Sequence, residues 1–374
     1  MKPLTFLRAL LATFVLTVGI LPGCSSEKRV VPDNSPIVIG AVLPMTGDAG
    51  TFGQNAYRGA KIAVDEENSK GGINNRKFAL QVEDSRGTAE NAAAAGRKLI
   101  DIDKATLLVG DVTSAGTHAL TPIITQAKIP LISPAASDPA LSGASDYFAR
   151  VWPSDVYEAE VIGGYAQKKG FHNIAVVYAN TDYGLAMQKQ FVAAMPKEVI
   201  KLIIPVEREA SDYRPTVQRI AASGADALFV VLYPEDAKRF LQQSARLRLA
   251  LPILATATIE DPTLVSAPGI ERLVFASPVP PDDNDATRKS FVTQYRKTFN
   301  ADPGVVSDTA YDSVKLLVDA ARSEGLRDSA RLMNHIKSLK EYKGASGVLT
   351  FSQNGDVRKP YRLRTVKDGK FTWL

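Results

Sequence analysis

Histidines, a cysteine and carboxylates are the side chains here that could carry covalent or acid–base chemistry, and their spacing argues against it. His118, His172 and His335 are far apart, and none belongs to a His-x-x-x-His or His-Glu pattern, so zinc ligation has no support. The single cysteine, Cys24, lies near the N-terminus, so the body of the chain has no thiol nucleophile. There is no Gly-x-Ser-x-Gly elbow and no phosphate-binding Gly-x-x-x-x-Gly-Lys-Ser/Thr loop. Gly47, Gly50 and Gly53 are spaced by three, which suits a flexible turn into a helix and not a dinucleotide fingerprint. Carboxylates are plentiful, but none is paired in sequence for acid–base work. No catalytic residue, cofactor or metal is expected, and the chain is not expected to be an enzyme.

Two loops offer binding chemistry instead. Gly110–Thr117 and Ser133–Pro139 are rich in hydroxyls, and each follows a short apolar run. A Ser or Thr and free amides at a helix N-terminus make a site for a carboxylate or another anion. Ligands of open α/β sheets bind beyond the carboxyl ends of the strands, which is where both loops fall. Taken singly, either loop reads as ordinary helix capping.

The elements that must position these loops alternate regularly. Ile37–Leu43, Phe78–Val82, Thr106–Val109 and Ile129–Ile132 read as strands. Asn55–Asn68 and Ala89–Ile102 read as helices, the second capped by Thr88. The pattern restarts with strands Ile174–Tyr178, Ala227–Leu232, Ile253–Ala255 and Leu273–Ala276 and a helix over Gly184–Ala194. Ser277–Asp285, rich in Pro and Asp, breaks the rhythm and reads as a crossover or hinge. Helices resume at Ala286–Phe299 and Ser307–Glu324. Val348–Phe351 and Tyr361–Val366 read as strands around Asn354-Gly355, which predicts a terminal hairpin. The fold class is α/β, with mostly parallel sheets in two Rossmann-like lobes.

The N-terminus reads as a targeting segment. Lys2 and Arg8 precede an apolar run, Leu10–Ile20, that is too short to span a bilayer, and Leu21–Cys24 looks like a bacterial lipobox. Residues 1–23 are the expected signal peptide, Cys24 the expected lipidation site, and 24–35 a polar tether. The predicted location is extracytoplasmic, anchored by lipid to the cell membrane or outer membrane on the periplasmic side. The 374 residues carry a formal charge of +5, part of which leaves with Lys2 and Arg8. The remaining basic charge is dispersed, so nucleic acid is not an expected partner.

An ordered set of segments resembles a known family. It comprises Gly40–Gly59, Lys70–Ile73, Asp84, the two hydroxyl loops, Asp182–Gly184 and Gly344–Asp356. Together they resemble the type I periplasmic binding proteins, in the Leu/Ile/Val-binding branch of ABC-transporter substrate receptors. The resemblance spans the chain beyond the signal and implies two lobes joined by three crossovers, with residues 36–153 and 278–350 in lobe one and 154–277 and 351–374 in lobe two. It implies that Ser114, Ala135 and Ser137 hold a ligand carboxylate and amine. It also implies that Phe52, Tyr183 and Tyr233 line the pocket. Amino-acid binders of this kind place an acid after a lobe-two strand. Here Thr258 occupies that position, with Glu260 two residues on. Either Glu260 serves through a local shift, or the ligand is not an α-amino acid, because a buried ammonium without a counter-charge is costly. The implied role is a monomeric receptor that closes on a small amino acid, carboxylate or amide and delivers it to an ABC permease. A regulatory or sensory envelope lipoprotein on the same fold is the alternative.

Overall fold

The computed structural model describes residues 35–282 and 284–374. The expected signal segment, Cys24 and almost all of the tether lie outside the described residues. Strand β1 (Ile37–Leu43) is apolar throughout because helices cover both faces of its sheet. It pairs with β2 (Phe78–Asp84) and β3 (Leu107–Gly110). With β4 (Leu131–Ser133) and β5 (Phe148–Arg150) they form a parallel five-stranded sheet, ordered β2-β1-β3-β4-β5. The pleat sends Leu107 and Val109 into one core, with Ala60 and Val314, and Leu108 into another, with Ala92 and Leu120. The crossover helices are α1 (Gly50–Ser69), α2 (Ala89–Arg97) and α3 (Ser114–Ala127). Thr88 caps α2 by accepting from the Asn91 amide at 3.3 Å. The helix expected to reach residue 102 ends at Arg97, and Lys98–Ile102 continues as a π turn.

The chain then enters α4 (Asp155–Lys169) and a second alternating set: β6 (Ile174–Ala179), α5 (Asp182–Ala193), β7 (Ile200–Val206), α6 (Arg214–Ala222), β8 (Ala227–Val231), α7 (Pro234–Arg246), β9 (Ile253–Ala255) and β10 (Leu273–Pro278). It returns to the first sheet with α8 (Ala286–Phe299), α9 (Ser307–Glu324), α10 (Ser329–Ser338) and the short pair β11 (Tyr342–Gly344) and β12 (Gly347–Leu349). Helix α9 lies so close to α1 that a Cβ on Gly59 would meet the Ser307 carbonyl oxygen at 1.8 Å. Glycine permits that approach. Finally β13 (Tyr361–Lys367) and β14 (Lys370–Trp373) complete a seven-stranded sheet ordered β14-β13-β10-β9-β8-β6-β7. Its strands are parallel except for β13, which runs antiparallel to both of its neighbours, β10 and β14.

The C-terminal hairpin differs from the expectation. The Asn354-Gly355 turn is closed by a single bridge between Phe351 and Val357, and it stays with the first lobe. There Asn354 O accepts from Gly143 N at 3.0 Å and Gly355 O from Arg150 N at 2.9 Å. The actual hairpin is β13–β14, turned by Asp368-Gly369, both in left-handed conformation at φ 52° and 69°. Two Xaa-Gly pairs compete in this tail, and both suit a two-residue turn. The open edge of β10 decides between them by pairing with β13. From the Asn354-Gly355 turn the chain reaches β13 through residues 358–360. It runs beside the 279–285 passage, with Val279 N donating to Pro360 O at 2.9 Å.

Candidate functional site

Strand β3 ends at Gly110, whose φ of 121° and approach to Val42 O (1.9 Å from a notional Cβ) exclude any side chain. The loop it releases is tied to the one after β4. Ser133 Oγ donates to Asp111 O at 2.7 Å and accepts from Ala136 N at 2.9 Å. Thr113 is the N-cap of α3, accepting from Gly116 N at 3.2 Å, and Thr117 Oγ1 donates to Thr113 O at 2.8 Å. Asp111 is fully buried beneath the loop, and burial pushes its carboxyl up to about 6, against the lowering effect of the Ser85 hydroxyl and the Thr113 amide. The hydroxyls of the two loops thus divide by function. Thr113, Thr117 and Ser133 hold the loops together, while Ser114 and Ser137 line a cavity. The amides of Ser114 and Ala115, at the start of α3, have no partner among the described residues.

Arg150 supports the second loop from behind. Its guanidinium is fully buried and donates to Asp356 Oδ1 at 2.7 Å, Asp138 O at 2.8 Å and Ser142 Oγ at 2.8 Å. Asp138 N in turn donates to Ser114 Oγ at 3.3 Å, so both loops are referenced to this buried charge.

The cavity lies between the lobes and holds about 460 Å³ of empty space, its solvent mouth included. Phe52, Ser114, Ala135 and Ser137 face it from the first lobe, and Tyr183, Tyr233 and Thr258 from the second. The Tyr183 and Tyr233 rings pack at 5.8 Å between centroids, tilted by 43°. Tyr183 is the second residue of α5, and Tyr233 precedes Pro234 at the start of α7, so each projects from a strand-to-helix junction. The structure gathers every expected pocket residue except Glu260.

Glu260 is a correction to the expectation. Its carboxylate accepts from Arg364 and, at 3.0 Å, from Ser277 Oγ, in an adjoining polar pocket that Arg288 and Lys359 also line. An acid already engaged by a guanidinium has no charge to spare for the cavity. Thr258, at the cavity wall, belongs to a hydroxyl chain: Tyr183 to Thr256 at 2.8 Å, Thr256 to Thr258 at 2.8 Å, and Thr258 to Leu232 O at 3.0 Å.

Sequence reasoning missed Glu158, Trp152 and Val306 at the cavity. Glu158 is 2 % exposed and accepts from Ala257 N at 2.7 Å. Burial, then the neighbouring Asp155, push its carboxyl well above the usual range. In sequence, Asp155 and Glu158 look like the acids of an ordinary first helical turn, so no local signal separated them from helix capping. Val306 precedes α9 at φ 65°, a left-handed conformation unusual for a β-branched residue.

Residues 36–370 match the family model described as periplasmic binding protein. The chain belongs to that family. Leu/Ile/Val-binding protein homolog 3 of Brucella melitensis is 24% identical over 347 residues, which cover 90% of this chain and 93% of that protein. The branched-chain amino acid transporter substrate-binding protein LivJ of Streptococcus pneumoniae, solved with isoleucine, superposes with a TM-score of 0.82 at 24% identity, covering 91% of this chain and 99% of its own. A solute-binding protein of an ABC transporter from R. palustris, solved with benzoate, has a TM-score of 0.82 at 20% identity, covering 91% and 95%. In this periplasmic binding protein one side chain spans the cleft directly. Arg208, after β7 in the second lobe, donates through Nε to Asp48 Oδ2 at 2.9 Å and through Nη1 to Gly87 O at 2.7 Å, both in the first lobe. A second guanidinium nitrogen reaches Asp48 Oδ1, and the carbon at its centre sits 5.9 Å from the Tyr233 ring centroid.

Proposed function

We propose that this chain is the extracytoplasmic receptor of an ABC importer, capturing a small amino acid, carboxylate or amide between its lobes and presenting it to a membrane permease. The observation that carries this reading is the cavity itself: lobe one offers Ser114, Ser137 and the open N-terminus of α3, and lobe two offers two tyrosines that cover them. Hydroxyls and helix-terminal amides suit a ligand carboxylate. Relatives solved with isoleucine and with benzoate, both carboxylates, support that ligand class. The ligand is bound and released unchanged. The mature chain acts as a monomer held to the membrane by lipid on Cys24.

Ser114→Ala and Ser137→Ala are expected to weaken binding by about 1–3 kcal/mol each, because each leaves a ligand oxygen short of a donor. Isothermal titration with amino acids and small carboxylates reads this directly. Undiminished affinity in both variants would move the binding site elsewhere.

Closure also predicts a role for Arg208. A movement that separated the lobes would break its bonds to Asp48 and Gly87, so Arg208→Ala should shift the unliganded protein toward open forms. Small-angle scattering should then give the variant a larger radius of gyration than the parent, with saturating ligand restoring compactness. Equal radii without ligand would exclude a latch.

A further inference from the structure

We propose that the ligand carries a positively charged nitrogen and that Glu158 is the residue that receives it. The inference rests on the receptor reading above and narrows the ligand class. Glu158 projects from the first turn of α4 into the cavity. One of its oxygens accepts from Ala257 N at 2.7 Å, and the other has no hydrogen-bond partner among the described residues. No Lys, Arg or His lines the cavity among those residues, so the protein supplies no cation to meet this acid.

The hydroxyls beside Glu158 have the same polarity. Thr258 must donate to Leu232 O, since a carbonyl only accepts. Thr256 must therefore donate to Thr258, and Tyr183 to Thr256. Each proton in the chain is committed within the protein, and what Tyr183 and Thr258 turn toward the cavity is lone pairs. With Glu158 ionised, the second-lobe wall is thus an acceptor wall, a carboxylate beside two hydroxyl oxygens. The first-lobe wall is the opposite. Ser114 Oγ already accepts from Asp138 N, which leaves its proton for the ligand, and the amides of Ser114 and Ala115 have no partner among the described residues. A ligand with an anionic end and an ammonium end matches both walls. A simple carboxylate matches only one.

The groups around Glu158 are Asp155 on its own helix, Tyr183 of α5, Tyr361 of β13 and the Ala257 amide; Arg150 acts at longer range through Asp155 and Tyr361. Burial and Asp155 favour the protonated acid when the cavity is empty. An arriving ammonium ionises it, and the carboxyl proton leaves to solvent. Glu158 thereby takes the role for which Thr258 has no charge and from which Arg364 withholds Glu260.

Titration with matched pairs tests this on the full soluble chain. The amines are L-valine, L-leucine, L-phenylalanine and 4-aminobutanoate. Their partners are 3-methylbutanoate, 4-methylpentanoate, 3-phenylpropanoate and butanoate. For any pair that binds, the amine should bind about 10- to 100-fold more tightly, the range expected of a hydrogen bond to a charged group. Glu158→Gln should lower the affinity for the amine by about 10- to 100-fold, toward that for its nitrogen-free partner, in a protein whose cooperative thermal unfolding shows that it is folded. Equal or tighter binding of the nitrogen-free partners, or of benzoate, by the parent protein overturns the role of Glu158 and leaves the receptor reading intact. No binding by any amine or acid counts against both.

Discussion

Arg150→Met is expected to lower stability by about 3–5 kcal/mol, the cost typical of breaking a buried ion pair, and to weaken ligand binding in the same variant. Methionine preserves most of the volume but none of the donors. Asp356 loses its Nε partner at 2.7 Å, and the carbonyls of Asp138 and Ala136 lose theirs at 2.8 and 3.3 Å. The carbonyls are buried and must go unsatisfied, whereas Asp356, 18 % exposed, recovers part of its hydration. The loop so released carries Ser137 and, through Asp138, orients Ser114. Urea unfolding at neutral pH reads the first effect and titration calorimetry the second. Asp356→Asn should cost less, and the double variant should show a coupling between the two sites. An unchanged urea midpoint in Arg150→Met would mean that the buried guanidinium is not what holds the loop.

The second large effect is stabilising and depends on pH. Asp155 is fully buried, and neither carboxylate oxygen has a well-aligned hydrogen-bond partner among the described residues. Burial pushes its carboxyl up to about 7 from an ordinary 3.8, with the nearby Ser137 hydroxyl and the charge of Arg150 offsetting part of the rise. The folded protein therefore keeps a proton that the unfolded chain gives up. Stability from this group is greatest below pH 3.8, declines as pH rises from 3.8 to about 7, and is level above that. Asparagine removes the ionisation and nearly preserves the shape. Asp155→Asn should gain up to about 4 kcal/mol relative to the parent at pH 8 and almost nothing at pH 4, because each tenfold difference in proton affinity between the folded and unfolded chain is worth about 1.4 kcal/mol. Thermal unfolding of both proteins at the two pH values decides it. A difference that does not change with pH would show that Asp155 does not titrate in this window.

Local pattern reached a good deal of this molecule. The continuous apolar run of β1 and the strand-loop-helix transitions after β3 and β4 are short-range features. A residue at such a transition sits at the carboxyl edge of its sheet whatever the rest of the chain does. Local pattern singled out the two hydroxyl loops, the family resemblance pointed to Ser114, Ala135, Ser137, Tyr183 and Tyr233, and these five residues line one cavity. The terminal hairpin differs from the local expectation for the converse reason. Asn354-Gly355 and Asp368-Gly369 are locally equivalent as turns, and only the unpaired edge of β10, far away in sequence, selects the second.

By itself, the sequence determined the α/β alternation, the family, the hydroxyl loops and the absence of any recognisable catalytic motif, all of which depend on residue type and short spacing. Tertiary structure alone decided the electrostatics. Arg150 meets Asp356 across 206 positions, Glu158 meets the Ala257 amide across 99, and Glu260 is claimed by Arg364 across 104. A carboxylate in a sequence has a type but no environment. Whether it is neutralised by a guanidinium or left open to a ligand depends on which distant groups enter the same low-dielectric space, because there a single partner outweighs every local preference.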